Sequence, residues 1–188
     1  AEQEGKLSPV ELAILFHYRY IRIHPFEDGN GRIARLMVNF ILARHGYPMI
    51  VVRSRLKQLY LEALHKADLI VGATPADGAH ASLKDIRPFH KYMSKLIAEE
   101  VANDVLFVTE RNENVWWYDG ERIAFRTATY SKILRTMQIE DQATQAYLQE
   151  ETGINRSALQ KMISILLDKG YIARDDNGRW RVFLTPSV

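Results

Sequence analysis

His24-Pro25-Phe26-Glu27-Asp28-Gly29-Asn30-Gly31-Arg32-Ile33-Ala34-Arg35 is the stretch from which this 188-residue chain is best read. Pro25 disfavours helix at His24, and Gly29 and Gly31 are permissive backbone positions, so His24 to Gly31 is expected to be a structured loop. Upstream, Ser8-Pro9-Val10-Glu11 combines a capping box with proline in the first helical turn. Apolar or ring-bearing residues follow at helical spacing, Val10, Ile14, His17 and Ile21, and predict a helix from about Pro9 to Arg22. Downstream, Ile33, Leu36, Met37, Phe40 and Ile41 repeat at the same spacing until Gly46 and Pro48, the expected stop signals, and are expected to face inward. The pattern is helix, tight loop, helix.

The residue types in the loop point to phosphate chemistry. Gly29-Asn30-Gly31 just before a helix offers backbone N–H groups and the positive end of a helix dipole, an anion cradle. Arg32 and Arg35 lie about one turn apart, so two guanidinium forks can project towards that cradle and engage more than one phosphate. Asp28 is a hard oxygen ligand of the kind Mg²⁺ takes together with substrate phosphates. His24, at the other end of the loop, can act as a base near neutral pH.

These residues resemble the signature of the Fic family, His-Pro-Phe-x-(Asp/Glu)-Gly-Asn-Gly-Arg-x-x-Arg between two helices, and every specified position matches. The resemblance extends over about residues 8–108 and implies a protein adenylyltransferase, moving AMP from ATP to a Tyr, Ser or Thr hydroxyl of a target protein. It implies His24 as the general base, Asp28 holding Mg²⁺ at the α- and β-phosphates, and Gly29, Asn30 and Gly31 lining the cradle. Arg32 and Arg35 would hold the β- and γ-phosphates, and Phe26 would plug the loop into the core. Relatives that phosphorylate instead carry lysine for a loop glycine, so Gly31 supports the adenylylating version. Family members place a β-hairpin flap upstream of the motif helix, and the 23 residues before His24 are nearly all used by that helix. The chain is thus expected to be the C-terminal part of a longer protein, its activity in this form in question. Many relatives are held inactive by a helix of the pattern (Ser/Thr)-x-x-x-Glu-(Gly/Asn), which Thr109 to Asn114 fits, making Glu113 the candidate inhibitory residue.

Around this centre the sequence is mainly α. Ser54 to about Val71 is expected to be a helix with Leu56, Leu59, Leu64, Ala67 and Ile70 inward, and Gly72 to Gly78 a loop. Ser82-Leu83-Lys84-Asp85 is expected to cap a long helix to about Val108, with Ile86, Phe89, Met93, Leu96, Ile97, Val101 and Val105 inward. Residues 1–112 are therefore assigned to the Fic-type core and 113–128 to a junction, with Trp116 and Trp117 as an interdomain packing cluster. Residues 129–188 predict three helices, the third with Leu159, Ile163, Leu166 and Leu167 inward, and a hairpin around Asn177-Gly178. That order is the pattern of a winged helix-turn-helix domain.

Composition bounds the alternatives. Apolar residues make up 47% and charged residues 26%, ordinary globular usage, and no apolar run is long enough for a membrane span, so no membrane association and a cytoplasmic setting are expected. With no cysteine there is neither a disulfide framework nor a thiolate zinc site nor a cysteine nucleophile. His17, His45, His65, His80 and His90 share no zinc-like spacing. The formal charge of +2 falls wholly within residues 126–188, a thin basic footprint for a DNA reader. Docking of a protein is preferred over DNA binding through Arg156, Ser157, Lys161, Arg179 and Arg181. The alternative functions are a DNA-binding regulator using the Fic core as a nucleotide sensor, or a Fic enzyme that removes AMP. The sequence leaves a homodimer open.

Overall fold

The computed structural model describes residues 6–187, which fall into two compact units divided between Asp104 and Val105. In the first, α1 (Pro9–Ile23) starts with the expected capping box: Glu11 N–H donates to Ser8 Oγ at 3.3 Å, and Ser8 N–H donates to the Glu11 carboxylate at 2.9 Å. These bonds satisfy donors that a helix start leaves orphaned, and they hold the Glu11 carboxyl below its usual range. The chain continues with α2 (Asn30–Arg44), a 3-10 turn (Ser54–Leu56), α3 (Lys57–Val71), α4 (Pro75–His80) and α5 (Arg87–Thr109). Ile14, Tyr18, Val38, Leu42, Tyr60, Ala67, Phe89, Met93 and Ile97 form one core. Burial at roughly 25 cal/mol per Å² of apolar surface is what holds the helices together.

Several helix faces differ from the periodicity reading. In α2 the buried residues are Ala34, Val38 and Leu42, whereas Leu36 and Phe40 stand 67% and 52% exposed. Leu59 and Ile70 of α3 and Val105 of α5 are likewise exposed. Each of these helices carries apolar residues on more than one side, and periodicity alone does not say which side meets the core. The expected loop Gly72–Gly78 contains α4, because Thr74-Pro75-Ala76-Asp77 is itself a capping box with proline at the first position. Gly78 then approaches Arg22 so closely that a Cβ there would lie 2.3 Å from the arginine stem. Ser82 and Asp85 do bond each other, 2.8 Å from the Ser82 N–H, but they close a turn and α5 begins only at Arg87.

The second unit carries β1 (Val115–Tyr118), β2 (Glu121–Ala124), α6 (Ala128–Ile139), α7 (Gln145–Thr152), α8 (Arg156–Asp168), β3 (Ile172–Arg174), β4 (Trp180–Val182) and β5 (Thr185–Pro186). The helices and the antiparallel β3–β4 hairpin follow the expected winged-helix order. Segment 113–128 is not a bare junction. β1 and β2 pair antiparallel through an Asp119-Gly120 turn in which both residues have positive φ, 47° and 69°, and β1 also pairs with β5. Trp116, expected between domains, is fully buried in this unit's own core beside Ile133, Leu134, Leu148 and Leu159, its indole N–H donating to Ser131 Oγ at 2.9 Å. Trp117 donates to Ser187 Oγ at 3.1 Å and packs edge-on against Phe107. Leu167, expected inward, is exposed, the core face of α8 being Leu159, Ile163 and Leu166. Among the described residues no helix is long and apolar enough to cross a membrane.

Candidate active site

The site begins where α1 ends. His24 caps that helix, its N–H donating to the Tyr20 carbonyl at 3.1 Å, with φ 50° and ψ 58° in the left-handed region. A side chain there is strained by about 1–2 kcal/mol relative to the right-handed form, and helices more often use glycine at such an end. The imidazole stands exposed, with Nδ1 3.4 Å from the Ile21 carbonyl. That contact favours the tautomer with the proton on Nδ1, which leaves the Nε2 lone pair as the acceptor. The end of α1 is itself fixed by Arg22, which donates to the Gly72 and Thr74 carbonyls at 2.7 Å each and to Asp68 and Tyr18 at 3.0 and 2.9 Å.

Between the helices the loop is closed from within by Asn30. This residue is buried, its carboxamide oxygen accepting from the Phe26 N–H at 3.1 Å while its NH₂ donates to the Phe26 carbonyl. Expected as a cradle residue, Asn30 gives the cradle only its backbone, since its side chain holds the loop in shape. Gly29 is the N-cap of α2, with φ 83°, no side-chain cap and no acidic residue in the following turn. The first intrahelical bond runs from Ile33 N–H to the Gly29 carbonyl at 3.0 Å, so the earlier N–H groups have no helical acceptor and point out of the helix end.

The glycines also make room for the two guanidinium groups. A Cβ on Gly31 would lie 3.2 Å from Arg35 Nη1, and one on Gly29 would lie 3.5 Å from Arg32 Nη2. His24, Asp28, Arg32, Arg35 and the Gly29–Gly31 backbone bound one depression of about 260 Å³. Whole-ligand pockets usually measure about 300–1,000 Å³, so this depression is sized for a chain of phosphates rather than a complete nucleotide. A larger cavity, about 440 Å³, opens between α3 and α5 and contains none of the motif residues. Convergent donors and an exposed imidazole make the smaller one the candidate site.

Asp28 is the metal-ligand candidate. Its carboxylate is almost fully exposed and pairs with Arg32 at 3.1 Å. Among the described residues no three His, Cys, Asp or Glu side chains stand together to hold a metal by themselves. A carboxylate beside a phosphate cradle, with the Glu27 carboxylate next to it, does fit Mg²⁺, which keeps several waters and takes the remaining ligands from phosphate.

Two expected site residues are placed differently. Phe26 is 54% exposed and plugs nothing in the described core. Glu113 follows the end of α5 at Thr109 and lies in a turn, not a helix. In the same segment Glu110 is bound by both arms of Arg122 at 2.7 and 2.5 Å, which keeps the Glu110 carboxyl below its usual range. The contacts missed by sequence reasoning are those of Arg22 with Asp68, Gly72 and Thr74, 46 to 52 positions away, and the buried pairing of His17 with Tyr60 across 43 positions. No local pattern marks them.

Comparison with known proteins agrees with the motif. Residues 1–42 match the model of the Fic/DOC family. The chain is 40% identical over 89 residues to the protein adenylyltransferase Fic of Nematostella vectensis, covering 47% of this chain and 18% of that one. It is 36% identical over 89 residues to the protein adenylyltransferase fic-1 of Caenorhabditis elegans, covering 47% and 15%. A crystal structure of a Fic domain containing signaling protein from Bacteroides thetaiotaomicron superposes with a TM-score of 0.54 and 57% identity, covering 56% of this chain and 40% of that one. The motif and the helical unit around it are similar to those of Fic/DOC proteins. It spans less than a fifth of the length of these curated relatives.

Proposed function

We propose that the first unit is a protein adenylyltransferase centre that takes ATP with Mg²⁺ as its partner. The acceptor hydroxyl of a Tyr, Ser or Thr on a target protein attacks the α-phosphorus, its proton passes to His24 Nε2, the bond to the β-phosphate breaks and pyrophosphate leaves. General-base assistance of this kind is worth about 10²–10⁴ in rate. Asp28 would hold the Mg²⁺, which neutralises charge on the phosphates. The α2 N-terminus and the Arg32 and Arg35 guanidinium groups bind the outer phosphates, where charge accumulates as pyrophosphate departs. The observation that carries this reading is the convergence on one 260 Å³ depression of an exposed imidazole, the adjacent carboxylates of Glu27 and Asp28, an uncapped helix end and two guanidinium groups.

For the second unit we favour docking of a protein over recognition of DNA. The β3–β4 hairpin places its cations in local partnerships: Arg181 pairs with Asp175 at 3.1 Å, Arg179 with Asp141 at 3.9 Å, and Arg174 stacks on Trp180 at 3.6 Å. Few positive charges remain free there for phosphates, on which DNA affinity depends.

The test is transfer from α-labelled ATP with Mg²⁺ onto lysate proteins and onto the chain itself. Label is expected with wild type and not with His24→Ala, which should still bind ATP, whereas Arg35→Ala should bind ATP more weakly. Label retained in His24→Ala would refute the base assignment.

A further inference from the structure

The left-handed backbone at His24 needs support from outside its own helix. Strained conformations persist where the surroundings over-determine them, and the last turn of a helix is where hydrogen bonding runs out and fraying begins. At this end α1 supplies the bond from the His24 N–H to the Tyr20 carbonyl at 3.1 Å. Two residues earlier, Arg22 supplies the rest. Its side chain is only 11% exposed, and each of its four terminal N–H groups has an acceptor. Nη1 donates to Asp68 Oδ1 at 3.0 Å and to the Tyr18 hydroxyl oxygen at 2.9 Å, and Nη2 donates to the Gly72 and Thr74 carbonyls at 2.7 Å each.

The acceptors belong to three helices. Asp68 lies in the last turn of α3, Gly72 caps the end of that helix, Thr74 is the N-cap of α4, and Tyr18 stands one turn back on α1. The Tyr18 O–H donates in turn to Asp68 Oδ1 at 2.8 Å, which closes a ring of bonds among Arg22, Tyr18 and Asp68. The arginine stem is held as well. A Cβ at Gly78 of α4 would lie 2.3 Å from Arg22 Cβ and 2.4 Å from Cγ, so the absence of a side chain there is what admits it. This arrangement needs a planar fork: lysine carries the same charge on one nitrogen and cannot serve four acceptors set around a guanidinium.

We propose that Arg22 is a positioning residue: by clamping the last turn of α1 to the junction of α3 and α4, it fixes the place and angle at which His24 presents its imidazole to the depression. This rests on the function proposed above. A base must come within about 2.6–3.2 Å of the proton it takes, and a misplacement of about 1 Å can cost about 100-fold in rate. The phosphate-binding groups lie beyond His24, on the loop and on α2, which is anchored separately through Ala34, Val38 and Leu42. Freeing the end of α1 therefore moves the base and leaves the phosphate cradle in place.

The test uses the full chain and two variants, each studied below its own melting temperature. Arg22→Lys keeps the charge and loses the fork, and Gly78→Ala leaves every donor and acceptor in place but displaces the arginine stem. Transfer from α-labelled ATP should fall about 10- to 100-fold in both, with calorimetric affinity for Mg²⁺·ATP within about twofold of wild type. Tyr18→Phe, which removes one acceptor and the bond to Asp68, should act in the same direction with a smaller loss; it and Gly78→Ala carry the test if Arg22→Lys does not fold. Transfer unchanged, or transfer and ATP affinity falling together, would show a structural role and overturn the proposal. A nucleotide-free readout separates this idea from the one it rests on. In mildly alkaline solution the ring nitrogen resonances of His24, identified by their loss in His24→Ala, should report the proton on Nδ1 in wild type and a mixture of both tautomers in the variants. If wild type transfers no label, the functional proposal fails while these resonances still decide this one; resonances unchanged in both variants overturn it.

Discussion

His17 and His24 sit two turns apart on the same helix and have opposite surroundings. The first is sealed among Tyr60, Phe89 and the core of α1, and the second hangs exposed at the left-handed end of the helix. Burial removes the charged state of the one, and strain at a helix terminus presents the lone pair of the other. One residue type therefore gives a proton-inert ring inside and, on the function proposed above, the base outside, and the surroundings of each, not the side chain, make the difference.

The sharpest way to break that contrast is His24→Ala. Label transfer should fall by about 10²–10⁴ while the melting temperature stays unchanged, because the ring supports no packing; a variant that melts early would make His24 structural too. The buried partner shows itself through acid. Since the folded pKa of His17, about 3, lies below the ordinary histidine value of 6.5, the unfolded chain takes up the proton first. Stability is therefore complete above about pH 6.5 and is lost as the pH falls towards 3, by up to about 1.4 kcal/mol per pH unit from this group. Urea melts between pH 7 and pH 4 should show this slope in wild type and a shallower one in His17→Phe.

Next in size is Asn30→Ala, which removes both bonds to the Phe26 backbone and should cost about 2–3 kcal/mol by urea denaturation, with weaker ATP binding as the loop opens. The smallest expected effect is that of Gly29→Ala, about 1–2 kcal/mol, from placing a Cβ at φ 83°. Were Gly29→Ala to cost more than Asn30→Ala, backbone freedom and not the carboxamide staple would be what shapes the loop.

The elements legible from sequence were those announced by their own ends. Ser8 and Glu11 announced α1, Gly46 and Pro48 the end of α2, and Asn177-Gly178 the β3–β4 hairpin. The same grammar was present and overlooked at Thr74-Pro75-Ala76-Asp77, where Gly72 and Gly78 made a cap look like a loop, and at Asp119-Gly120, a hairpin signal flanked by two short strands. At the site, the motif named His24, Asp28, Arg32 and Arg35, and the structure gathers them. It could not show that Asn30 turns its side chain onto the loop, that Phe26 lies exposed, or that Tyr60 of α3 meets His17 of α1. Those facts belong to tertiary packing across dozens of residues, where no local spacing reaches. Leu36 and Phe40 mark the opposite limit: their period was right, and the side of the helix facing the core was not.

All three tryptophans, Trp116, Trp117 and Trp180, lie in the second unit, and each indole N–H is bonded to a protein oxygen. The fluorescence of the chain is consequently a private signal of that unit, while the tyrosines of α1 and α3 contribute only weakly to it. Emission at tryptophan wavelengths followed beside far-ultraviolet dichroism, to which every helix contributes, would read the melting of the second unit separately from that of the whole, with no label attached.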